Sequence, residues 1–260
     1  MSLMRVSNVT KKFGGLVAVN NVSFSVNEGE ILSIIGPNGA GKSTLFKLCS
    51  SFLPVSSGDI FFREKNITSL SPHIVARMGI IRTFQETTIF KDMTALENVI
   101  VAHHLQSKAS LMGFFFNTST ARKDEERFRQ SAAEILDYLG LGGIKETKAS
   151  NLPHGSLRSL GIAIGMAASP KVLLLDEPFA GMNSDETAQA MTMVKSIREK
   201  GVTILLVEHD VSAVMKISDR IVVLNFGTKI AEGLPEEIQK NEAVIEAYLG
   251  REDDEEEVQE

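Results

Sequence analysis

The sequence is poor in cysteine and in long apolar runs, and both shortages limit what the protein can be. Its 260 residues contain one cysteine, Cys49, and no tryptophan. A single cysteine excludes an internal disulfide framework, so we expect a cytosolic protein in which Cys49 packs as a small apolar side chain. The longest nearly apolar stretch, Leu160–Ala168, has nine residues, whereas a membrane-spanning helix needs about 20. We therefore expect a globular protein without a transmembrane segment.

The sequence also lacks a basic surface signal. Its formal net charge is −6, but residues 252–260 carry seven acids and no base. Without that segment, 27 basic residues face 26 acidic ones, a net charge of +1. The rest of the chain is therefore nearly neutral and its composition indicates no basic surface for nucleic acid or anionic lipid, so we expect no nucleic-acid partner. Residues 251–260 are expected to be a disordered acidic tail, which either only solvates the protein or makes a regulatory contact.

Buried-strand patterns alternate with helical ones, which predicts an α/β fold. The predicted strands are Met4–Val9, Val22–Val26, Ile31–Ile35, Asp59–Phe62, Ile80–Phe84, Lys171–Asp176, Thr203–Val207 and Arg220–Leu224. Asn20-Asn21 and Asn27-Glu28-Gly29 are predicted turns. Helical patterns dominate between these strands in the middle of the chain, at Thr94–Leu105, Ala121–Leu139 and Ser156–Ala168. We expect one domain over residues 1–250, with a helical subdomain inserted at about residues 86–170.

An apolar segment inside this helical region, Leu111–Phe116, has two interpretations. It packs locally within a long connection, or it forms an exposed patch that touches a partner.

One run of nine residues carries the strongest functional signal. It fits the phosphate-binding pattern G-x-x-x-x-G-K-[ST], follows the apolar run Ile31–Ile35 and precedes the helix-like stretch Leu45–Leu48. Glycines let the backbone direct several N–H groups at one anion, and the following helix adds its positive end. Lys42 would reach the β- and γ-phosphates, and the Ser43 hydroxyl would hold Mg²⁺. The run consists of Gly36, Pro37, Asn38, Gly39, Ala40, Gly41, Lys42, Ser43 and Thr44.

Two adjacent carboxylates, Asp176 and Glu177, follow a second apolar run that ends a predicted central strand. Ligands of such sheets bind where the strands end. Asp176 is therefore a candidate Mg²⁺ ligand, acting through water beside Ser43. Glu177, one residue further on, is a candidate to polarise an attacking water.

In this order of motifs the chain resembles the ATP-binding subunit of an ABC transporter, over about residues 4–250. Beside the phosphate loop and Asp176-Glu177, the resemblance is carried by Gln85, by Leu152–Ser156 and by His209. Further segments are similar to the branched-chain amino acid importer branch: Phe13–Leu16, Arg82–Gln85, Val207–Asp210 and Ile245–Gly250. The resemblance implies the P-loop NTPase fold of ABC type, with an antiparallel β N-terminal region.

The resemblance also implies roles for single residues. Phe13 would stack on adenine, Gln85 would sense Mg²⁺ and the lytic water, and His209 would contact the γ-phosphate. Gly155 and Ser156 would face the ATP held by a second subunit. Asn183 stands at a position that faces that subunit in the family, although a helix-cap role alone also explains it.

One motif departs from the family's pattern. The signature loop usually reads Leu-Ser-Gly-Gly-Gln, whereas Leu152-Pro153-His154-Gly155-Ser156 stands here. Pro153 cannot donate from its side chain or its backbone nitrogen. In the family, the serine at the position of Pro153 donates to the γ-phosphate of the ATP held by the other subunit. Losing one hydrogen bond to a charged group costs roughly 1.5–3 kcal/mol, or about 10- to 150-fold in closure or hydrolysis, which weakens the site without abolishing it.

The resemblance implies an ATPase that powers an importer through integral membrane permease subunits, without touching the transported solute. It would lie at the inner face of the membrane and pair with a copy of itself or a paralogue, the paralogue being favoured. A lipopolysaccharide-type exporter ATPase is the nearest transport alternative. Two others remain: a soluble ABC ATPase, as in metal-cluster assembly, and a low-turnover, nucleotide-gated regulatory module.

Overall fold

The computed structural model describes residues 2–83, 89–103 and 119–249. Gln85, the Leu111–Phe116 segment and the acidic tail at 251–260 lie outside the described residues. The described chain contains two β-sheets and a set of helices. None of the helices in these ranges combines the length and apolar character needed to span a bilayer.

The first sheet is antiparallel and is built from the N-terminal part of the chain, as the resemblance implied. Its strand order is β2-β1-β4-β5. The strands are β1 (Ser2–Phe13), β2 (Leu16–Asn27), β4 (Ser57–Phe62) and β5 (Lys65–Asn66).

The predicted turn at Asn20-Asn21 is wrong, because β2 runs through both residues. The pairing of β1 and β2 instead shifts register on either side of Val9. Asn21 has φ 51° and Asn8 has φ 50°, and the side chains of these two asparagines share a 2.9 Å hydrogen bond. Asparagine tolerates left-handed φ angles, which a β-bulge uses as readily as a turn does.

The second sheet has the strand order β10-β9-β3-β8-β7-β6, parallel except for the antiparallel pair β9 and β10. Strands β3, β8 and β7 lie in its interior, and their apolar residues are buried on both faces. Their carboxyl ends lie at one edge, where the chain continues into Gly36, Glu177 and Glu208. The strands are β3 (Ile31–Ile35), β6 (Ile80–Arg82), β7 (Val172–Asp176), β8 (Thr203–Val207), β9 (Arg220–Asn225) and β10 (Thr228–Gly233).

The helices begin where capping chemistry allows. In α3 (Ala95–Ala102), the Thr94 hydroxyl accepts from the N–H of Glu97 at 3.1 Å, and the Glu97 carboxylate accepts from the N–H of Thr94. In α6 (Ser184–Glu199), Asn183 and Glu186 form the same reciprocal pair, so the predicted cap is confirmed. The helices are α1 (Lys42–Cys49), α2 (Pro72–Arg77), α3 (Ala95–Ala102), α4 (Ser119–Tyr138), α5 (His154–Ala167), α6 (Ser184–Glu199), α7 (Val211–Ile217), α8 (Pro235–Ile238) and α9 (Glu242–Leu249).

The two faces of the parallel sheet bury separate cores. On one face, Leu32, Leu174 and Leu205 pack with α1 and the antiparallel sheet. On the other face, Leu173 and Ile204 pack with α3, α4, α5 and α6. Cys49 is fully buried, and burial raises its pKa to about 12, which confirms the packing interpretation of the lone thiol.

Candidate active site

The phosphate-loop motif lies between β3 and α1, as the sequence predicts. A Cβ on Gly36 would lie 2.1 Å from the carbonyl oxygen of Leu224. Gly41 has φ 96°, and a Cβ there would lie 2.4 Å from the carbonyl oxygen of Ala18. Only glycine fits either position. Gly41 is also the N-cap of α1, and no side chain caps this helix, so its first N–H groups are left for an anion.

Lys42 is held inside this loop. Its side chain is nearly buried, and Nζ donates to the carbonyl oxygens of Gly36 at 2.7 Å and Pro37 at 2.9 Å. Burial lowers the pKa of Lys42, and the charge of Glu177 partly opposes this. The ammonium group is therefore positioned before any phosphate arrives, which reduces the cost of ordering it on binding.

The loop opens onto a cleft of about 620 Å³. Phe13 and Phe226 are its aromatic residues, and the amine of Lys11 lies 5.0 Å from the centre of the Phe13 ring. The cleft therefore has a cationic, N–H-rich part and an apolar part, which suits a phosphorylated aromatic ligand. The other lining residues are Leu16, Val17, Ala18, Asn38, Gly39, Ala40, Gly41, Lys42, Ser43, Thr44, Glu177 and Gly227.

Glu177 and His209 come together at the ends of the neighbouring strands β7 and β8. Oε1 of Glu177 lies 3.3 Å from Nδ1 of His209, and both side chains are partly exposed. The backbone of Glu177 has φ 50°, and its N–H donates to the carbonyl of Val207 at 2.8 Å. A non-glycine residue in this left-handed conformation costs roughly 1–3 kcal/mol. The strained backbone therefore lies at Glu177, the residue that the sequence indicates as the candidate base.

Glu208, to which the sequence reasoning gave no role, orders this corner of the site. It is 1% exposed, and its two carboxylate oxygens accept from the N–H of Phe179 at 2.8 Å and of His209 at 3.1 Å. Burial raises the pKa of Glu208. The sequence did contain a signal for this role, because Glu208 stands between an apolar strand and the candidate histidine. The acid fixes the segment after Glu177 relative to His209.

The candidate Mg²⁺ ligands are oxygen atoms. Asp176 ends β7, and its Oδ2 accepts a 2.7 Å hydrogen bond from Nη2 of Arg82. Ser43 lies in the lining of the cleft, and Gln85 lies outside the described residues. The described donors, a carboxylate and a hydroxyl, fit Mg²⁺, which takes one or two protein oxygens and completes its shell with phosphate oxygens and water.

Gly155 and Ser156 do not join this cleft. They lie in the first turn of α5, after Pro153 at its N-cap, and line a separate cleft of about 660 Å³ with Glu186. A Cβ on Gly155 would lie 2.7 Å from Oε1 of Glu186, so any larger residue there would displace the end of the Glu186 side chain. Within one chain these residues cannot complete the site of Lys42.

The parallel sheet, its antiparallel companion and the loop at Lys42 define an ATP-binding-cassette ATPase. A family model described as ABC transporter matches residues 19–180. The chain belongs to the ABC transporter family as an ATP-hydrolysing, nucleotide-binding subunit, and the alternative of a soluble or purely regulatory protein is not favoured. A second model, described as branched-chain amino acid ATP-binding cassette transporter, matches residues 228–254.

Known proteins resemble the chain over nearly its whole length. The high-affinity branched-chain amino acid transport ATP-binding protein LivG of Salmonella typhimurium is 45% identical over 249 residues, which cover 95% of this chain and 98% of LivG. A nucleotide-free ATP-binding cassette from an ABC transporter superposes with a TM-score of 0.85 at 33% identity, covering 96% and 100% of the two chains. A dimeric ATP-binding cassette bound to ADP and phosphate superposes with a TM-score of 0.75 at 26% identity, covering 89% of this chain and 98% of the other.

Proposed function

We propose that this chain powers the import of branched-chain amino acids or related small polar solutes. The observation that carries the proposal is that the similarity to LivG covers 95% of the chain, and that a C-terminal segment matches a family model of its own. The generic cassette match ends at residue 180, so residues 228–254 carry the signal for the branch. The chain itself would not touch the solute.

The test is to purify the native membrane complex through this subunit, identify its other chains and reconstitute it in vesicles. ATP-dependent uptake of leucine that is lost on Lys42→Ala is the expected result. Uptake of urea or an amide instead of leucine would identify another solute as the cargo. If no permease subunit accompanied this chain through the purification, that would contradict the transport role.

In the proposed mechanism, Lys42 and the N–H groups of the phosphate loop bind the β- and γ-phosphates. Glu177 accepts the proton of the water that attacks the γ-phosphorus, and His209, 3.3 Å from Glu177, contacts the γ-phosphate. Ser43, Asp176 and Gln85 would hold Mg²⁺, which would neutralise charge on the phosphate oxygens. Phe13 contacts the adenine base. Positioning and charge stabilisation carry most of such a reaction.

The proposed site is completed by a second ATPase subunit, which is either a copy of this chain or a paralogue. The separation of Gly155 and Ser156 from the cleft at Lys42 supports this arrangement. Each subunit would present its own α5 N-terminus to the ATP of the other. The similarity to a dimeric cassette supports a paired working state.

The permease contact is proposed at a third cleft, of about 730 Å³, between α2, β6, α3 and α5. Its lining is mainly apolar and includes Ile164, Val101, the last residue of β6, Arg82, and the following Thr83. A partner seated there would lie beside the segment that leads to Gln85. The chain would thus be peripheral, on the cytoplasmic face of the membrane. The helices between β6 and β7 would form the inserted subdomain of a single domain.

The comparisons do not favour a low-turnover, nucleotide-gated role, but Pro153 at the N-cap of α5 makes it worth distinguishing from a motor by experiment. The basal ATPase rate and its dependence on Glu177 distinguish the two roles. A motor is expected to lose most of its turnover on Glu177→Gln, whereas a gate would show little turnover to lose.

A further inference from the structure

Phe226 is the most exposed large apolar side chain among those recorded for the described residues, at 88%. It lies with Gly227 at the tip of the hairpin between β9 and β10. Its φ angle is 43°, a left-handed conformation that is a genuine outlier for a bulky residue. The two-residue turn of this hairpin requires a positive φ angle at both Phe226 and Gly227. A bulky, exposed aromatic ring is an unfavourable choice for such a position, which indicates a function for the ring.

The hairpin tip is fixed to the phosphate loop. The N–H of Gly227 donates to the carbonyl of Ala40 at 3.1 Å, and its own carbonyl accepts from Asn20 at 2.8 Å. The Cα of Gly227 lies 3.5 Å from the position that a Cβ on Gly41 would take. Phe226 therefore moves with the loop that would hold the phosphates.

The same cleft contains Phe13, which is 46% exposed. Leu16, at 66% exposure, adds a further apolar contact. Three exposed apolar side chains beside an N–H-rich loop match a ligand with a flat, apolar ring at one end and phosphates at the other.

We infer that Phe226 is a second aromatic contact for the adenine base of ATP, acting with Phe13 and selecting for a ligand that carries a base. The inference rests on the proposed function, because it requires the phosphates to bind at Gly36–Thr44. The alternative contact for the Phe226 ring is the second ATPase subunit, whose surface the ring would touch in the closed pair.

The test compares ATP with tripolyphosphate, which has the phosphates and no base. Binding to the full chain is measured by calorimetry in the presence of Mg²⁺ for wild type, Phe226→Ala, Phe226→Tyr and Phe90→Ala. Phe90 is a matched control because it is 52% exposed and does not line the cleft. Phe226→Ala is expected to weaken ATP binding about 5- to 20-fold and to leave the tripolyphosphate Kd within about twofold. Phe226→Tyr and Phe90→Ala are expected to bind ATP as wild type does.

Three results would overturn the inference. An unchanged ATP Kd in Phe226→Ala would show that Phe13 alone contacts the base. An equal loss for tripolyphosphate would show that the variant disturbs the phosphate loop. A defect only in ATP-driven pairing, seen by light scattering in a Glu177→Gln background, would assign the ring to the partner subunit. If the wild-type chain bound neither ligand, the assignment of Gly36–Thr44 itself would fail, and that outcome is distinct from the other three.

Discussion

Arg82 donates a 2.7 Å hydrogen bond from Nη2 to Oδ2 of Asp176, and both side chains are only 10% exposed. The guanidinium carbon also lies 5.7 Å from the ring centres of Phe46 and Phe52. The charge of the candidate metal ligand is therefore balanced from within the protein. Arg82 at the same time lines the proposed permease cleft, so one side chain connects that cleft with Asp176.

We expect Arg82→Met to destabilise the protein by up to about 3–5 kcal/mol, because it leaves the largely buried carboxylate of Asp176 without this partner. The free energy of unfolding from urea titration measures this. Arg63→Met is the matched control: its ion pair with Glu28 is more than half exposed on both sides, and such pairs contribute about 0–1 kcal/mol. The double variant Arg82→Met, Asp176→Asn is expected to recover part of the loss. Equal effects of the two arginine variants would contradict the role of the buried pair.

Glu177→Gln is expected to reduce ATP turnover roughly 10²- to 10⁴-fold while ATP stays bound. The amide keeps the shape of the side chain beside His209 but cannot accept the proton of the attacking water. Phosphate release and equilibrium binding of labelled ATP, measured on the same preparation, separate the two effects. Hydrolysis at the wild-type rate would show that another group acts as the base.

The local motifs could be predicted from the sequence, whereas contacts between distant segments could not. The loop at Lys42 and the strand before Asp176 are continuous signals, each contained in about ten residues. Arg82 is 94 residues from Asp176, and no pattern along the chain indicates that they pair. Phe226 was missed for the same reason, because its position in the cleft depends on the contact of Gly227 with Ala40. The turn predicted at Asn20-Asn21 failed because a left-handed asparagine serves a bulge inside a strand pair as well as a turn.

Glu208 is expected to make the stability of the protein depend on pH. Its folded-state pKa is raised by burial, so the folded protein holds the proton more tightly than the unfolded chain does. The stabilising contribution of the protonated form is complete below the unfolded pKa and is lost as the pH rises through the folded pKa. The unfolding free energy of wild type minus that of Glu208→Gln is therefore expected to fall as the pH rises from about 4.

Urea unfolding at several pH values measures this difference. The amide of Glu208→Gln offers one acceptor oxygen where the carboxylate offers two, so it also loses one of the contacts to Phe179 and His209. That loss changes the free-energy difference by the same amount at every pH. The slope of the difference against pH therefore still reports the ionisation of Glu208. A difference that rises with pH would mean that the ionised carboxylate is the stabilised form in the folded protein.

Pro153→Ser is expected to raise the ATPase rate or the ATP affinity of the complete complex. The serine hydroxyl restores a hydrogen bond to the γ-phosphate of the opposite subunit, worth roughly 1.5–3 kcal/mol, and full recovery corresponds to about 10- to 150-fold. Serine is also a better N-cap than proline for α5, which has no side-chain cap, and this alone adds about 1 kcal/mol of stability. Pro153→Ala is the matched control, because alanine restores the backbone N–H without the hydroxyl. A gain in thermal stability of the isolated chain, with no change or a fall in ATPase rate in the complete complex, would restrict the effect of Pro153 to the helix end and contradict its role in the closed site.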